Sequence, residues 1–196
     1  ATWRREWCSI LENCHTIWVP DEDASALCAR LFPTLRDRVR IVLREPAAAM
    51  AWNGRGRRLG LLLLDRSAPD LEFVLSLARA FQRIGSDREL MIMGETFDDL
   101  RVLASGNALV SGPISPGDIS SLLSTHDIRG VLVGTGKALF GHPLAAAVRL
   151  SGVPMASFYW GCRDVADIRH ITLDLLASFE EWALKLERWL SNLGHG

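Results

Sequence analysis

The residues best suited to chemistry lie in the stretch from Phe140 to Pro154. Phe140-Gly141-His142 opens an alanine-rich helix, Gly152 ends it, and Val153-Pro154 starts a strand. Glycine allows a ligand to approach the backbone closely, and the first amides of a helix have no intrahelical partner. That combination is a natural seat for phosphate. His142, at the helix start, stands where an imidazole touches a phosphate or moves a proton; the plainer role is a helix cap. Arg66 ends an apolar strand and suits a bidentate grip on a diphosphate, the alternative being a surface bridge to Asp65 or Asp70. Lys137 closes Gly134-Thr135-Gly136-Lys137, half of a phosphate loop. No GxxxxGK[ST] is present and Ala138 stands where Ser or Thr should follow, which excludes a P-loop. Gly94 and Ser111 end two further strands and join the candidate binding set, and Glu95 follows Gly94.

No nucleophile emerges. No Ser/His/Asp or Cys/His constellation can be argued from the spacing, so no catalytic residue is assigned. The cysteines, at 8, 14, 28 and 162, form no CxxC and no zinc-spaced cluster with histidine. No metal or cofactor is expected. They read as free thiols of a reducing cytoplasm. A Cys8–Cys14 bridge is disfavoured, because six residues of helix separate the two by about 9 Å.

The chain has 196 residues, 48% of them hydrophobic, and a formal net charge of −1. It is therefore globular, and near-neutrality argues against a nucleic-acid binder. Lysine is confined to Lys137 and Lys185 while arginine is plentiful, a bias of genome composition. No apolar run approaches the ~20 residues that cross a bilayer, although peripheral membrane contact stays open.

These residues need a scaffold, and the apolar pattern supplies one. An amphipathic helix spans 3–14, with Trp3, Trp7, Ile10, Leu11 and Cys14 on one face. Strands are expected at 17–20 and 39–43, around a helix that ends at Phe32-Pro33. After a polar loop at 47–58 the pattern turns regular. Strands at 59–64, 89–93, 108–111, 130–133 and 154–158 alternate with helices at 68–85, 97–104, 115–123 and 139–150. A terminal helix at 173–193 carries Leu176, Phe179, Trp182, Ala183, Leu186, Trp189, Leu190 and Leu193 on its apolar stripe. Such alternation predicts an α/β, Rossmann-like, doubly wound parallel sheet with the C-terminal helix packed back on it. Ligands of these folds sit at the carboxyl ends of the strands, near a topological switch point.

In order and spacing, several segments resemble the nucleotide-sugar half of retaining GT-B glycosyltransferases, the group 1 family. Trp18-Val19-Pro20 and the helix after it resemble the end of the acceptor half, and Val39 to Pro46 the linker strand. Leu64-Asp65-Arg66 resembles the family's V-G-R, Met91-Ile92-Met93-Gly94 its V-I-V-G, and Leu109 to Ser115 its V-x-F-x-G-x-V-S. Phe140 to Pro154 resembles E-G-F-G-x-x-x-x-E-A-x-x-x-G-x-P without its two glutamates, whose places fall near Ala138 or Leu139 and on Ala147. The family's lysine would lie near Asp70, where no cation occurs. The resemblance covers roughly residues 15–165.

It implies residues 1–46 as the end of an acceptor-side region with its linker, 47–58 as a loop, and 59–196 as a nucleotide-sugar-binding domain. It implies a bacterial, cytoplasmic protein of polysaccharide or glycoconjugate synthesis that binds a nucleotide-diphosphate sugar and transfers the sugar to an acceptor. The donor site would be Arg66, Gly94, Ser111, Lys137, Phe140, Gly141 and His142. No metal is needed, since helix amides and basic side chains stabilise the leaving diphosphate. Ala147, unable to bond a sugar hydroxyl, raises the alternative of an inactive binding or assembly module. Acceptor, donor identity and oligomeric state are not legible.

Overall fold

A computed structural model describes residues 2–19, 22–41, 56–63, 67–134, 142–158 and 170–193. The chain divides into two compact units, Ala1–Glu45 and Pro46–Gly196.

The first unit holds α1 (Thr2–Glu12), β1 (Ile17–Val19), α2 (Glu22–Leu31), a 3-10 turn (Pro33–Arg38) and β2 (Val39–Ile41). The two strands pair in parallel, Ile17 opposite Val39 and Val19 opposite Ile41. Its core is small: Val19, Phe32, Leu35 and Val39. Arg38 Nη1 donates to the carbonyls of Glu12 (2.7 Å) and Cys14 (3.1 Å), satisfying acceptors that the end of α1 leaves open. Trp7 and Ile10 of the amphipathic α1 are exposed, as is Trp18.

The second unit is the sheet. Its strands are β3 (Arg58–Leu62), β4 (Leu90–Met93), β5 (Ala108–Val110), β6 (Ile128–Val133), β7 (Met155–Phe158) and β8 (His170–Leu173). Every pairing is parallel, in the order β5-β4-β3-β6-β7-β8. The intervening helices are α3 (Ala68–Arg83), α4 (Asp99–Leu103), α5 (Ile119–Thr125), α6 (Pro143–Leu150) and the terminal α7 (Phe179–Asn192). Strands covered on both faces read as unbroken apolar runs, which is why Leu59 to Leu63 is uniformly buried.

Each face has its own core. Leu59, Leu61, Ile92, Leu132 and Ala156 pack with α3 and α7, while Leu62, Met91, Met93 and Val131 pack with α5 and α6. Trp182 sits among Phe73, Phe158 and Phe179 in edge-on or tilted contacts, with ring centroids 4.8 Å from Phe158 and Phe179. Its Nε1 donates to the Asp174 carbonyl at 2.6 Å. Polar contacts tie α7 to α3 and the turn after it: Arg83 pairs with Glu180, and Glu187 accepts from Ser86 and Arg88.

Three expectations need correction. Strand β7 is not the last. Residues 170–173 form β8 beside it, with Met155 opposite His170 and Phe158 opposite Leu173. The terminal helix accordingly begins at Phe179 rather than 173. Ser178 and Glu181 form a capping box, each side chain bonding the other's backbone amide. Leu176 therefore lies outside the helix, 95% exposed, and not on its apolar stripe. Finally, α6 starts at Pro143, because the residue before a proline is driven out of the helical region; His142 is extended (φ −72°, ψ 123°).

The aromatic cluster makes Trp182 the anchor of α7. Trp182→Ala is expected to cost about 3–5 kcal/mol of unfolding free energy, measured by urea denaturation. A loss below 1 kcal/mol would show that α7 is held by its polar contacts instead.

Candidate functional site

Chain order reverses at β3. From β3 the strands proceed through β4 to β5 on one side, and the chain then returns to lay β6 against the other side of β3. The helices that follow β3 and β6, α3 and α6, accordingly pack in the cores of opposite faces, and in folds of this kind ligands sit at the carboxyl ends of the strands at such a point. At this edge the amide of Gly134 donates to the Leu62 carbonyl at 3.0 Å, tying the ends of β6 and β3 together. A Cβ on Gly134 would lie 3.0 Å from Leu61 Cδ1 and 3.2 Å from both Leu63 and Phe73, so the strand end packs there without a side chain.

Three of the seven candidate binding residues can be placed at this carboxyl edge. Arg66, Lys137, Phe140 and Gly141 lie outside the described residues. Gly94 follows β4 with φ +122°, a backbone conformation open to glycine, and a Cβ there would meet nothing within 4 Å. Its amide donates to Ser111 Oγ at 3.0 Å, and Ser111 Oγ donates to the Gly112 carbonyl at 3.0 Å. The Ser111 hydroxyl thus clasps the ends of β4 and β5, and its one proton is committed. A ligand could use only its remaining lone pair.

His142 caps α6. Its Nδ1 accepts from the Leu144 amide at 3.3 Å, so the neutral ring carries its proton on Nε2, an assignment made from that bond. Pro143 has no amide to offer, and the Leu144 amide is taken. Two of the donors that a helix start ordinarily presents to an anion are gone, and the imidazole Nε2–H stands in their stead. Ala147, at the place of the second glutamate, is partly buried against the α5–α6 core.

On the α3 side, the first-turn carboxylate of Asp70 is buried and accepts from Ser67 Oγ at 2.8 Å. Ser67 in turn caps the helix. Asp70 therefore has a local structural duty. The loop after β4 is similarly self-contained, with Asp99 Oδ1 accepting from the Thr96 amide (2.7 Å) and hydroxyl (2.6 Å). Neither the Ser111 clasp nor the Asp99–Thr96 bond is readable as such in the sequence, because both depend on a partner brought in by the fold or by the turn. Among the described residues no group of three or more His, Cys, Asp or Glu could hold a metal.

No protein-family model matches the chain, and no curated protein matches it. Solved structures do. TarM, known from S. aureus, aligns over 98% of this chain and 40% of its own, with TM-score 0.61 at 12% identity. WaaG, a glycosyltransferase involved in lipopolysaccharide biosynthesis, aligns over 90% of this chain and 54% of its own, with TM-score 0.59 at 15% identity. A glycosyltransferase from Rickettsia africae ESF-5 aligns over 98% and 57%, with TM-score 0.59 at 12% identity. The fold is that of a Rossmann-like GT-B half. At these identities the likeness shows architecture alone, and the chain spans about half the length of the neighbours. The G117R mutant of S. aureus TarM has been solved in complex with fondaparinux, alpha-GlcNAc-glycerol and UDP.

Gly94 joins β4 to its loop in a conformation that glycine takes freely and other residues rarely adopt, with open space around it. Gly94→Ala should lower stability by about 1–3 kcal/mol through backbone strain rather than collision, read as a shift in thermal midpoint. An unchanged midpoint would mean that the turn relaxes freely.

Proposed function

We propose that this chain is the donor-binding part of a glycosyltransferase, holding a nucleoside-diphosphate sugar at the carboxyl edge of its sheet. The observation that supports this reading is the reversal of strand order at β3, the kind of point at which such folds bind ligands beside the carboxyl ends of their strands. In this reading Arg66 and Lys137 neutralise the diphosphate, and the backbone at Phe140-Gly141 approaches it. His142 donates from Nε2. Gly94 and Ser111 line the far wall, where the nucleoside lies. The likeness of fold to TarM and WaaG supports transfer as the activity, with a retaining course suggested by the motif order.

The acceptor half lies outside this unit. A GT-B reaction centre forms between two such halves, and holding donor and acceptor together contributes several kcal/mol that one half cannot supply. Ala147 removes one hydrogen bond to the donor that the family's glutamate would make. A bacterial glycoconjugate or polysaccharide pathway and a cytoplasmic setting fit this reading. No described helix is long and apolar enough to cross a membrane.

Two outcomes follow. Calorimetric titration with UDP, GDP and ADP should show binding of at least one, and Arg66→Ala should weaken it by about 1.5–3 kcal/mol, the worth of a charge-assisted hydrogen bond. No heat at millimolar nucleotide, or equal affinity in the variant, contradicts the assignment. With radiolabelled nucleotide sugars and an acceptor panel, the 196-residue chain alone should form no product; turnover by it would place the whole reaction centre within this chain.

A further inference from the structure

The opposite edge of the sheet carries a second polar concavity. The amino ends of β3, β4 and β6 border a recess of about 680 Å³ whose lining residues include four arginines, Arg57, Arg58, Arg88 and Arg129. Gly56 lets the chain cross its wall, since a Cβ there would lie 2.3 Å from the Asp127 carbonyl oxygen.

The four arginines are not equally employed. Arg58 donates to Glu89 at 2.7 Å and to the His126 carbonyl at 3.1 Å. Arg88 grips both oxygens of Glu187 through Nε, at 3.0 and 2.9 Å, and reaches the Arg57 carbonyl. Arg129 differs: its Nε is buried and, among the described residues, has no hydrogen-bond partner. Burial first, and then the nearby Arg88 charge, push its guanidinium below its ordinary value, with Glu187 opposing. An arginine stays protonated even so, and a buried charged donor without an acceptor is costly. The Nε is closed off from the recess, so an oxyanion there would offset the guanidinium charge through the part of Arg129 that lines it. The carboxylates of Asp87 and Asp127 also line the recess, but both residues are exposed, so water screens them from its interior.

The half-buried Arg129, with the exposed Arg57 and the acceptor-only carboxylates of Asp87 and Asp127 at the mouth, suits a ligand that is anionic at one end and hydroxylated at the other. The volume is in the range of small-molecule sites. We propose that this recess binds a small hydroxylated phosphomonoester, of the sugar-phosphate class, with its phosphate on Arg129 and Arg57 and its hydroxyls donating to Asp87 and Asp127. The site is independent of the nucleotide crevice, which lies at the other ends of the same strands.

The test is calorimetry and amide-shift NMR on the whole chain with inorganic phosphate, glucose 6-phosphate and glucose. Glucose 6-phosphate should bind more tightly than inorganic phosphate, glucose should not bind, and the shifted amides should fall at 56–58, 87–89 and 127–129. Arg129→Gln should weaken glucose 6-phosphate about tenfold or more. Arg57→Gln, at the exposed mouth, gives a second reading if the first variant is unstable. No binding at millimolar ligand, affinity unchanged in both variants, equal affinity for phosphate and glucose 6-phosphate, or shifts confined to the carboxyl edge would each overturn the proposal.

Discussion

Strand β3 pairs in parallel on both sides, Leu59 to Leu62 with Leu90 to Met93 of β4 and Leu59 to Leu62 with Gly130 to Val133 of β6. In chain order β3 is the earliest of the six strands, and it lies inside the sheet, so the sheet grows outward from it in both directions. This double pairing decides where the sheet's loops part, and so where a crevice can exist. It also demands tight lateral packing. A Cβ on Gly60 would lie 2.9 Å from Met93 Sδ and 3.1 Å from Ile128 Cγ2, so the central strand can be flanked this closely because position 60 has no side chain.

The terminal helix completes what β3 begins. On β6, a Cβ at Gly130 would fall 2.7 Å from the Trp189 ring and 2.9 Å from Leu190, so the sheet leaves room for α7 to lie directly on it. The Trp182 cluster fastens one end of that helix, and Glu187 fastens the other to Ser86 and Arg88. Lys185 adds a bond to the Thr172 carbonyl of β8 at 2.7 Å. Arg88, held by Glu187, lines the arginine recess. One helix thereby closes the core beneath the sheet and orders the charges at its amino edge.

Much of this was legible because apolar runs such as Leu59 to Leu64 and Met91 to Met93 have no polar member, and each is punctuated by Gly, Ser or Asp at a helix start. Where the pattern failed, a local signal was outweighed by periodicity. Leu173 and Leu176 fit the spacing of the helix that follows, yet Ile171-Thr172 is a β-branched pair and Ser178-x-x-Glu181 is a capping box, and these set the true boundary. Pro143 likewise carries its own start signal, missed because the alanines after it invited extension backward. The candidate site was legible as an edge of the sheet rather than as a set of contacts. Ser111 and Asp70 are spent on the fold, in bonds to Gly112 and Ser67, and neither bond can be foreseen from spacing along a strand or at a strand end. Arg129, by contrast, gave no sign in the sequence, since its interest arises only from burial beside Arg88.

The central claim is that a nucleoside diphosphate occupies the carboxyl edge where β3 and β6 part. Hydrogen–deuterium exchange of the whole chain, with and without saturating UDP, tests it at peptide resolution. The account predicts slowed exchange in peptides covering 63–67, 94–96, 111–113 and 134–145, with the amino-edge peptides at 56–58 and 127–129 unchanged. Protection confined to the amino edge, or to none of these segments while UDP is demonstrably bound, would contradict it.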